Sequence, residues 1–232
     1  MNLQKYIASC GVCSRRGAEK LIIKGQITIN NKIARVTDRV QENDTVKLNN
    51  KLIKPIDKKV YIMLNKPVGY TCTTKTFKNE KNIFELIKLK ERLFTVGRLD
   101  KDSSGLLILT NDGDLTLKLT HPKYRHEKEY EVLVDKKITI KNIEELKRGV
   151  FIKDENKNQS IKVKAKSIKK QGDNKISLII AEGKKRQVRQ MLSAAGLRVV
   201  KLKRTRVSSL LLGDLPEGKS RDLTDREIKS LN

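Results

Sequence analysis

The chain has 232 residues, of which 52 are Lys or Arg and 27 are Asp or Glu, so its formal net charge is +25. A field of this sign attracts polyanions, and nucleic acid is therefore the expected partner. A surface charged only for solubility would carry more acidic residues. No apolar stretch approaches the roughly 20 residues that a membrane-spanning helix needs, so we expect no membrane partner.

The three cysteines indicate a reducing compartment without disulfides. The N-terminus lacks the apolar region of a signal peptide, and we therefore expect a cytoplasmic protein. Cys10 and Cys13 form a C-x-x-C pair, but no second pair follows, and both histidines lie far downstream. Because a closed zinc site needs four ligands, we predict no metal site and interpret Cys10 and Cys13 as small buried apolar residues.

The N-terminal segment predicts two short helices. The first spans residues 3–9, and Ser14 is a typical N-cap of the second, which ends at Gly25. One face of the second helix carries four cations, three of them one turn apart, and phosphates opposite would relieve their mutual repulsion. A solvated face without a partner is the alternative, and we favour RNA contact. The four residues are Arg15, Arg16, Lys20 and Lys24.

Short alternating stretches follow at residues 26–29, 32–36 and 45–48. Asn30-Asn31 and Asn49-Asn50 suit two-residue hairpin turns, since asparagine tolerates positive φ. Together these patterns predict a small unit of two helices and β-hairpins. We place that unit at residues 1–53, a polar linker at 54–59 and a second domain at 60–232.

The second domain combines strand patterns with fewer helical ones, which indicates the α+β class with a largely antiparallel mixed sheet. Asn111-Asp112-Gly113 is interpreted as a turn. Predicted strands cover residues 60–64, 70–74, 93–96, 106–110, 129–134, 161–168, 175–181 and 199–202, and predicted helices cover 83–89, 140–147, 184–195 and 225–231.

An unusual cluster of acids and hydroxyls lies at residues 97–105. Side chains alternate along an extended segment, so Arg98 and Asp100 are expected on one face while Leu99 points into the core. Neither Asp100 nor Asp102 is easily explained by packing. A solvated turn accounts for the cluster equally well from spacing alone.

Residues 184–189 crowd four cations into the first turns of a predicted helix, where the helix dipole is already positive. Such a violation is expected where an anion is held. Arg189 lies beside the apolar stripe and is expected to reach Asp100, although a solvated basic turn is the alternative. Lys66 is expected to be exposed at the shoulder of a tight turn, and Tyr130 shares a strand face with Lys128.

Four motifs occur in the order and approximate spacing of one known family: Asn65-Lys66-Pro67-Val68-Gly69, Gly97-Arg98-Leu99-Asp100, Lys128-Glu129-Tyr130 and Arg186-Gln187-Val188-Arg189-Gln190-Met191. The chain resembles the RsuA/RluB/RluE/RluF family of bacterial ribosomal RNA pseudouridine synthases. Residues 2–53 resemble an S4-type RNA-binding domain. The segments at 71–74, 126–130 and 221–225 look most like the RluF branch, which acts on large-subunit RNA.

This resemblance implies an isomerase that converts one rRNA uridine to pseudouridine. It places the catalytic aspartate at Asp100, the aromatic residue packed on the target base at Tyr130, and the basic partner of the carboxylate at Arg189. Arg98 would fill the space left by the flipped base. Substrate contacts would further include Lys66 and Pro67 at the pocket floor, with Arg186 and Gln187.

The resemblance also implies that no cofactor is needed. The expected partner is ribosomal RNA, 23S favoured over 16S, and the expected state is a monomer. Two other functions remain open from the residues. One is a non-catalytic S4-domain RNA-binding or ribosome-assembly protein. The other is a hydrolytic N-glycosidase, which would need a second carboxylate to activate water, with Asp102 as the nearby candidate.

Overall fold

The computed structural model describes residues 1–73, 80–87, 89, 91–154 and 158–231. These divide into two compact units. The N-terminal unit holds residues 1–60 together with the described residues of 89–93 and 111–113, and the C-terminal unit holds the others. Among the described residues, no helix combines the length and apolar character that crossing a bilayer requires.

The N-terminal unit packs two helices against a four-stranded antiparallel sheet. Asn2 and Ser14 cap the helices with their side-chain oxygens. The paired asparagines of both predicted turns have φ between 47° and 65°, which confirms the hairpin prediction. The sheet order is β2-β1-β3-β4. The elements are α1 Leu3–Ser9, α2 Arg15–Ile23, β1 Ile27–Ile29, β2 Lys32–Ile33, β3 Val46–Leu48 and β4 Lys51–Leu52.

In the described part of the C-terminal unit, nine strands form one mixed sheet and two more form a separate ribbon. The strands are β5 Tyr61–Lys66, β6 Phe94–Thr95, β7 Ser104–Thr110, β8 Lys128–Val134, β9 Val150–Asp154, β10 Gln159–Val163, β11 Ser167–Lys170, β12 Lys175–Ile180, β13 Val199–Val207, β14 Leu210–Leu211 and β15 Ser220–Asp222. The helices are α3 Gly113–Thr120, α4 Ile140–Arg148, α5 Gln187–Ala194 and α6 Asp225–Leu231, with 3-10 helices at Ile83–Leu86 and Pro122–Tyr124.

The large sheet has the order β11-β12-β8-β13-β7-β5-β15, and the short strands β6 and β14 pair with β7 and β13 respectively. The central strand β7 is a continuous apolar run whose residues 105–110 are all buried, as expected for a strand covered on both faces. Its neighbour β13 runs parallel to it, and the register pairs Arg204 with Gly105. The loop before β7 therefore lies beside the middle of β13, the strand that α5 precedes.

Several predicted elements differ from the structure. The described residues of predicted strand 70–74 contain an isolated bridge, Thr71 with Asn82, and no longer strand. Residue 74 is outside the described residues. Predicted helix 83–89 is a 3-10 helix at Ile83–Leu86, with residue 88 likewise outside them. Predicted strand 161–168 divides between β10 and β11. The predicted turn at residues 111–113 leads directly into helix α3, which was not among the predicted helices. The sequence signal for this helix is the pair Leu115 and Leu119, which lie one helical turn apart and are both buried.

Candidate active site

The loop between β6 and β7 presents Arg98 and Asp100 to solvent. Leu99 between them is only 7% exposed, which confirms the predicted alternation of side chains. Arg98 is exposed, and the Asp100 side chain keeps 36% of its surface. The Ser103 amide donates to the Asp100 carbonyl at 3.1 Å, closing a tight turn around the second acid, Asp102. The turn thus holds an accessible carboxylate in a fixed place.

Lys66 anchors this loop from below. It ends β5 with 0% of its surface exposed. Its Nζ donates to the carbonyls of Pro67 at 2.9 Å and Ser103 at 2.7 Å. Burial lowers the pKa of Lys66, opposed by the charges of Cys72, Asp100 and Asp102. The expected exposed position of Lys66 is therefore wrong, because two carbonyl acceptors beneath the loop satisfy its ammonium in the interior.

Asp102 joins the loop to two arginines. Arg186 binds it through both terminal nitrogens, Nη1 to Oδ1 at 3.1 Å and Nη2 to Oδ2 at 3.0 Å. Arg189 places Nε at 3.2 Å from Oδ2 and donates from Nη2 to the Asp102 carbonyl at 2.7 Å. Burial opposes ionisation of Asp102, but the Arg186 hydrogen bonds and the Arg189 charge outweigh it, so the pKa of Asp102 lies below its ordinary value.

Arg186, and not Arg189, is the direct cationic neighbour of Asp100, with Nη1 lying 3.8 Å from Asp100 Oδ2. The role of Arg189 as the basic partner of the catalytic carboxylate stays a prediction. The helix expected from residue 184 begins at Gln187, because Arg186 has a left-handed φ of 51° and turns its side chain towards the loop. Arg189, one turn further and only 13% exposed at its side chain, reaches Asp102 instead. Its charge still interacts with Asp100 at longer range.

Gln187 is 2% exposed and uses its amide within the chain. Its oxygen accepts the Lys184 amide at 2.9 Å, and its nitrogen donates to Glu182 at 2.8 Å. Gln187 therefore shapes the loop before α5, and its contact with the substrate stays a prediction. Beside this loop, Arg186 and Arg189 line a cavity of about 440 Å³.

Tyr130 is 8% exposed on β8, where the register pairs it with Arg204 of β13. Arg204 in turn pairs with Gly105 of β7. With strands about 4.8 Å apart, Tyr130 lies two strand spacings from the start of β7 and at the same level of the sheet. The burial of alternate residues along β8 confirms that Lys128 and Tyr130 share a face.

Sequence reasoning missed two residues around the loop. Arg204 is 3% exposed and donates from Nε to the Leu106 carbonyl at 2.8 Å, which ties β13 to β7. Burial raises the pKa of the Cys72 thiol, opposed by the Leu99 amide and the Lys66 charge. A lone arginine and a lone cysteine have no spacing that signals such positions.

In the N-terminal unit the four predicted RNA-contact residues of α2, Arg15, Arg16, Lys20 and Lys24, are all exposed. Arg16, Lys20 and Lys24 lie away from the buried Ala18 and Ile22, and Arg15 is the first residue of the helix. Cys10 and Cys13 are free and half-buried, and burial raises the pKa of Cys10 to about 11. Within the described residues, no group of three or more His, Cys, Asp or Glu side chains is placed to hold a metal ion.

Residues 60–194 match the RNA pseudouridylate synthase family, and residues 1–46 match the S4 domain. The dual-specificity RNA pseudouridine synthase RluF of Salmonella typhi is 42% identical over 231 residues, 99% of this chain and 78% of that protein. The ribosomal large subunit pseudouridine synthase B of Bacillus subtilis is 39% identical, covering 99% of this chain and 94% of that one. A crystal structure of a pseudouridylate synthase matches with a TM-score of 0.73 at 30% identity over 99% of both chains. The predicted family is thus confirmed, and the chain belongs to the RNA pseudouridine synthases that carry an N-terminal S4 domain.

Proposed function

We propose that this enzyme converts one uridine of 23S ribosomal RNA to pseudouridine with Asp100 as the catalytic residue. The observation that carries the assignment is the half-exposed Asp100 carboxylate on a turn fixed by Lys66 below and flanked by Arg186 at 3.8 Å. The N1–C1′ bond breaks, the uracil rotates, and a C5–C1′ bond forms. The C5 proton leaves and N1 is protonated, so the reaction balances without a cofactor or co-reactant.

Asp100 acts in its ionised form, either as a nucleophile at C1′ or as a base at C2′. Both roles require a carboxylate close to the sugar and away from bulk water. Arg186 supplies a nearby counter-charge, while Asp102 keeps that guanidinium from closing fully on Asp100. The arrangement thus leaves the Asp100 oxygens available to the substrate.

The target uridine has to leave its stack before it can reach Asp100, at a cost of a few kcal/mol. We assign the compensating contacts to the aromatic and basic residues around the loop. Tyr130 packs on the extruded base, and the exposed Arg98 fills the space that the base leaves in the RNA. Pro67 and Lys66 form the floor of the pocket.

The 23S target is supported by the similarity, over nearly the whole chain, to a synthase named for the large ribosomal subunit.

We propose a monomer because Asp100, Arg186 and Tyr130 all come from one chain. We place the enzyme in the cytoplasm, where three free thiols remain reduced. Residues 1–53, 54–59 and 60–232 are proposed as the S4-type domain, linker and catalytic domain.

The test of this function is release of tritium from RNA labelled at uridine C5. We expect the purified enzyme to release tritium from 23S transcripts and not from 16S transcripts, with pseudouridine mapped to one position. Release from 16S alone would refute the target. Free uracil would indicate a hydrolase, but the lowered pKa of Asp102 makes it a weak base for activating water.

Asp102→Asn is expected to lower kcat about 10- to 100-fold, because small misplacements of catalytic groups have effects of this size. Loss of the Asp102 charge removes the two ion pairs that hold Arg186 and Arg189 in place. RNA affinity should not fall, since one negative charge is removed. Single-turnover rates and RNA dissociation constants measure the two effects. Asp135→Asn is the matched control, because Asp135 binds Arg198 instead, at 3.4 Å. Equal rates for both variants would contradict the anchoring role.

Replacing Arg15, Arg16, Lys20 and Lys24 together by Gln is expected to weaken RNA binding and flatten its salt dependence. Removing one cation that neutralises a phosphate reduces the slope of log affinity against log salt by about 0.7 to 0.9. The measurement is fluorescence anisotropy with labelled rRNA fragments at several salt concentrations. The control replaces four exposed lysines outside α2, Lys51, Lys54, Lys58 and Lys59. An equal loss of affinity in the control would show that α2 makes no specific contact.

A further inference from the structure

Three aromatic rings cluster on the exposed segment between α3 and β8. The Tyr124 ring centroid lies 6.1 Å from that of His121, at an interplanar angle of 69°, and 6.2 Å from that of His126. Tyr124 keeps 50% of its surface exposed. Aromatic residues make up only 4% of the chain, so an aromatic ring left open to solvent inside a ring cluster needs an explanation.

The segment that presents this ring is rigid. Pro122 opens the 3-10 helix, and the His121 Nδ1 accepts the Lys123 amide at 3.2 Å. The Tyr124 amide donates to the His121 carbonyl at 3.1 Å. Arg125 closes the turn in the left-handed region with φ 48°. Tyr124 is thus held in place before any ligand arrives, which reduces the entropy lost on binding.

The charge around the rings is positive. Lys123 and Arg125 flank Tyr124 and are exposed. The nearest acid along the chain, Glu127, is engaged by Arg206 at 3.1 Å. An aromatic ring interleaved with cations suits a ligand that combines a flat base with phosphates.

The segment of residues 121–125 begins next to the loop that carries Asp100. A methyl group placed on Gly97 would lie 3.8 Å from Thr120 Cγ2, so the residue before His121 adjoins the residue before Arg98. The segment that carries Tyr124 therefore begins beside the segment that carries Asp100.

We propose that residues 121–125, the aromatic platform, bind an unpaired base of the RNA beside the target uridine. Tyr124 stacks on that base, and Lys123 and Arg125 contact the adjacent phosphates. The assignment rests on the proposed function, since it takes the substrate to be RNA. It adds a site for a flanking single-stranded nucleotide that is separate from Asp100, Tyr130 and Arg189.

The test uses the full-length enzyme and a single-stranded uridine decamer with one 2-aminopurine, whose fluorescence falls on stacking. Tyr124→Ala should lower affinity about tenfold and lose the quenching, as expected for removal of one base–aromatic stack. Tyr124→Phe should retain both. Affinity for a fully paired RNA duplex should change less than about twofold, because its bases are not available for stacking. Phe151→Ala, at another exposed aromatic residue, is the control and should behave as wild type.

Wild-type binding and quenching in Tyr124→Ala would overturn the platform. So would an equal loss of affinity on single strand and duplex, which would indicate a purely electrostatic or protein-docking surface. If Tyr124→Ala fails to fold, Tyr124→Leu keeps an apolar side chain without a π face and decides the question. In the wild-type enzyme, pseudouridine formation without fluorescence quenching would overturn the platform alone, and quenching without pseudouridine formation would overturn the catalytic assignment alone.

Discussion

Asp100→Asn is expected to abolish pseudouridine formation while RNA binding survives. The amide has nearly the same shape but can act neither as a nucleophile at C1′ nor as a base at C2′. Losing a general base costs about 10²- to 10⁴-fold and losing a nucleophile more, so the rate should fall by at least about 10²-fold. Single-turnover tritium release measures the rate, and anisotropy with labelled 23S fragments measures binding.

Asp214→Asn provides the control, because it removes another exposed carboxylate of the same unit. It should leave the rate unchanged. Retained activity in Asp100→Asn would contradict the assignment of Asp100. Loss of RNA binding in that variant would mean that Asp100 holds the loop together instead of reacting. Because the Ser103 amide bonds to the Asp100 backbone carbonyl, and not to its side chain, the substitution should preserve the turn.

Local chemistry made much of the fold predictable. The Ser14 cap and the turns of the paired asparagines involve only residues that are close in sequence. Their structures could therefore be predicted from the sequence. The alternation around Leu99 was equally local. The resemblance to a known family located the catalytic loop, and Asp100 remains a prediction for experiment.

The partners of the site residues depend on distant contacts and were not predictable. Lys66 is buried because the Ser103 carbonyl, 37 residues away, accepts a hydrogen bond from its ammonium. Arg186 adopts a left-handed φ within a loop that the buried Asp154 holds through Lys184 at 2.9 Å. This turn brings Arg186, and not Arg189, close to Asp100. No periodicity in the sequence indicates the turn.

Gly105→Ala is expected to destabilise the C-terminal unit by more than about 3 kcal/mol, since a clash in a packed core adds to backbone strain. An added Cβ would lie 2.2 Å from the Arg204 carbonyl oxygen and 2.6 Å from its amide nitrogen. Gly105 also has φ 105°, a conformation that side chains rarely adopt. The free energy of unfolding from urea titration, followed by circular dichroism, measures the loss. Gly172→Ala, with φ outside the positive range and its nearest neighbour at 3.8 Å, should change stability by less than about 0.5 kcal/mol.

The same close approach sets the geometry of the active site. Gly105 lets the backbone of β13 lie against the first residues of β7, directly after the loop that carries Asp100. The α5 helix, with Arg186 at its start, leads into β13. Forcing the strands apart should therefore also separate Arg186 from Asp100. At temperatures where Gly105→Ala remains folded, we expect kcat to fall more than RNA affinity. Wild-type kcat in the folded variant would show that the strand contact stabilises the sheet without positioning the catalytic carboxylate.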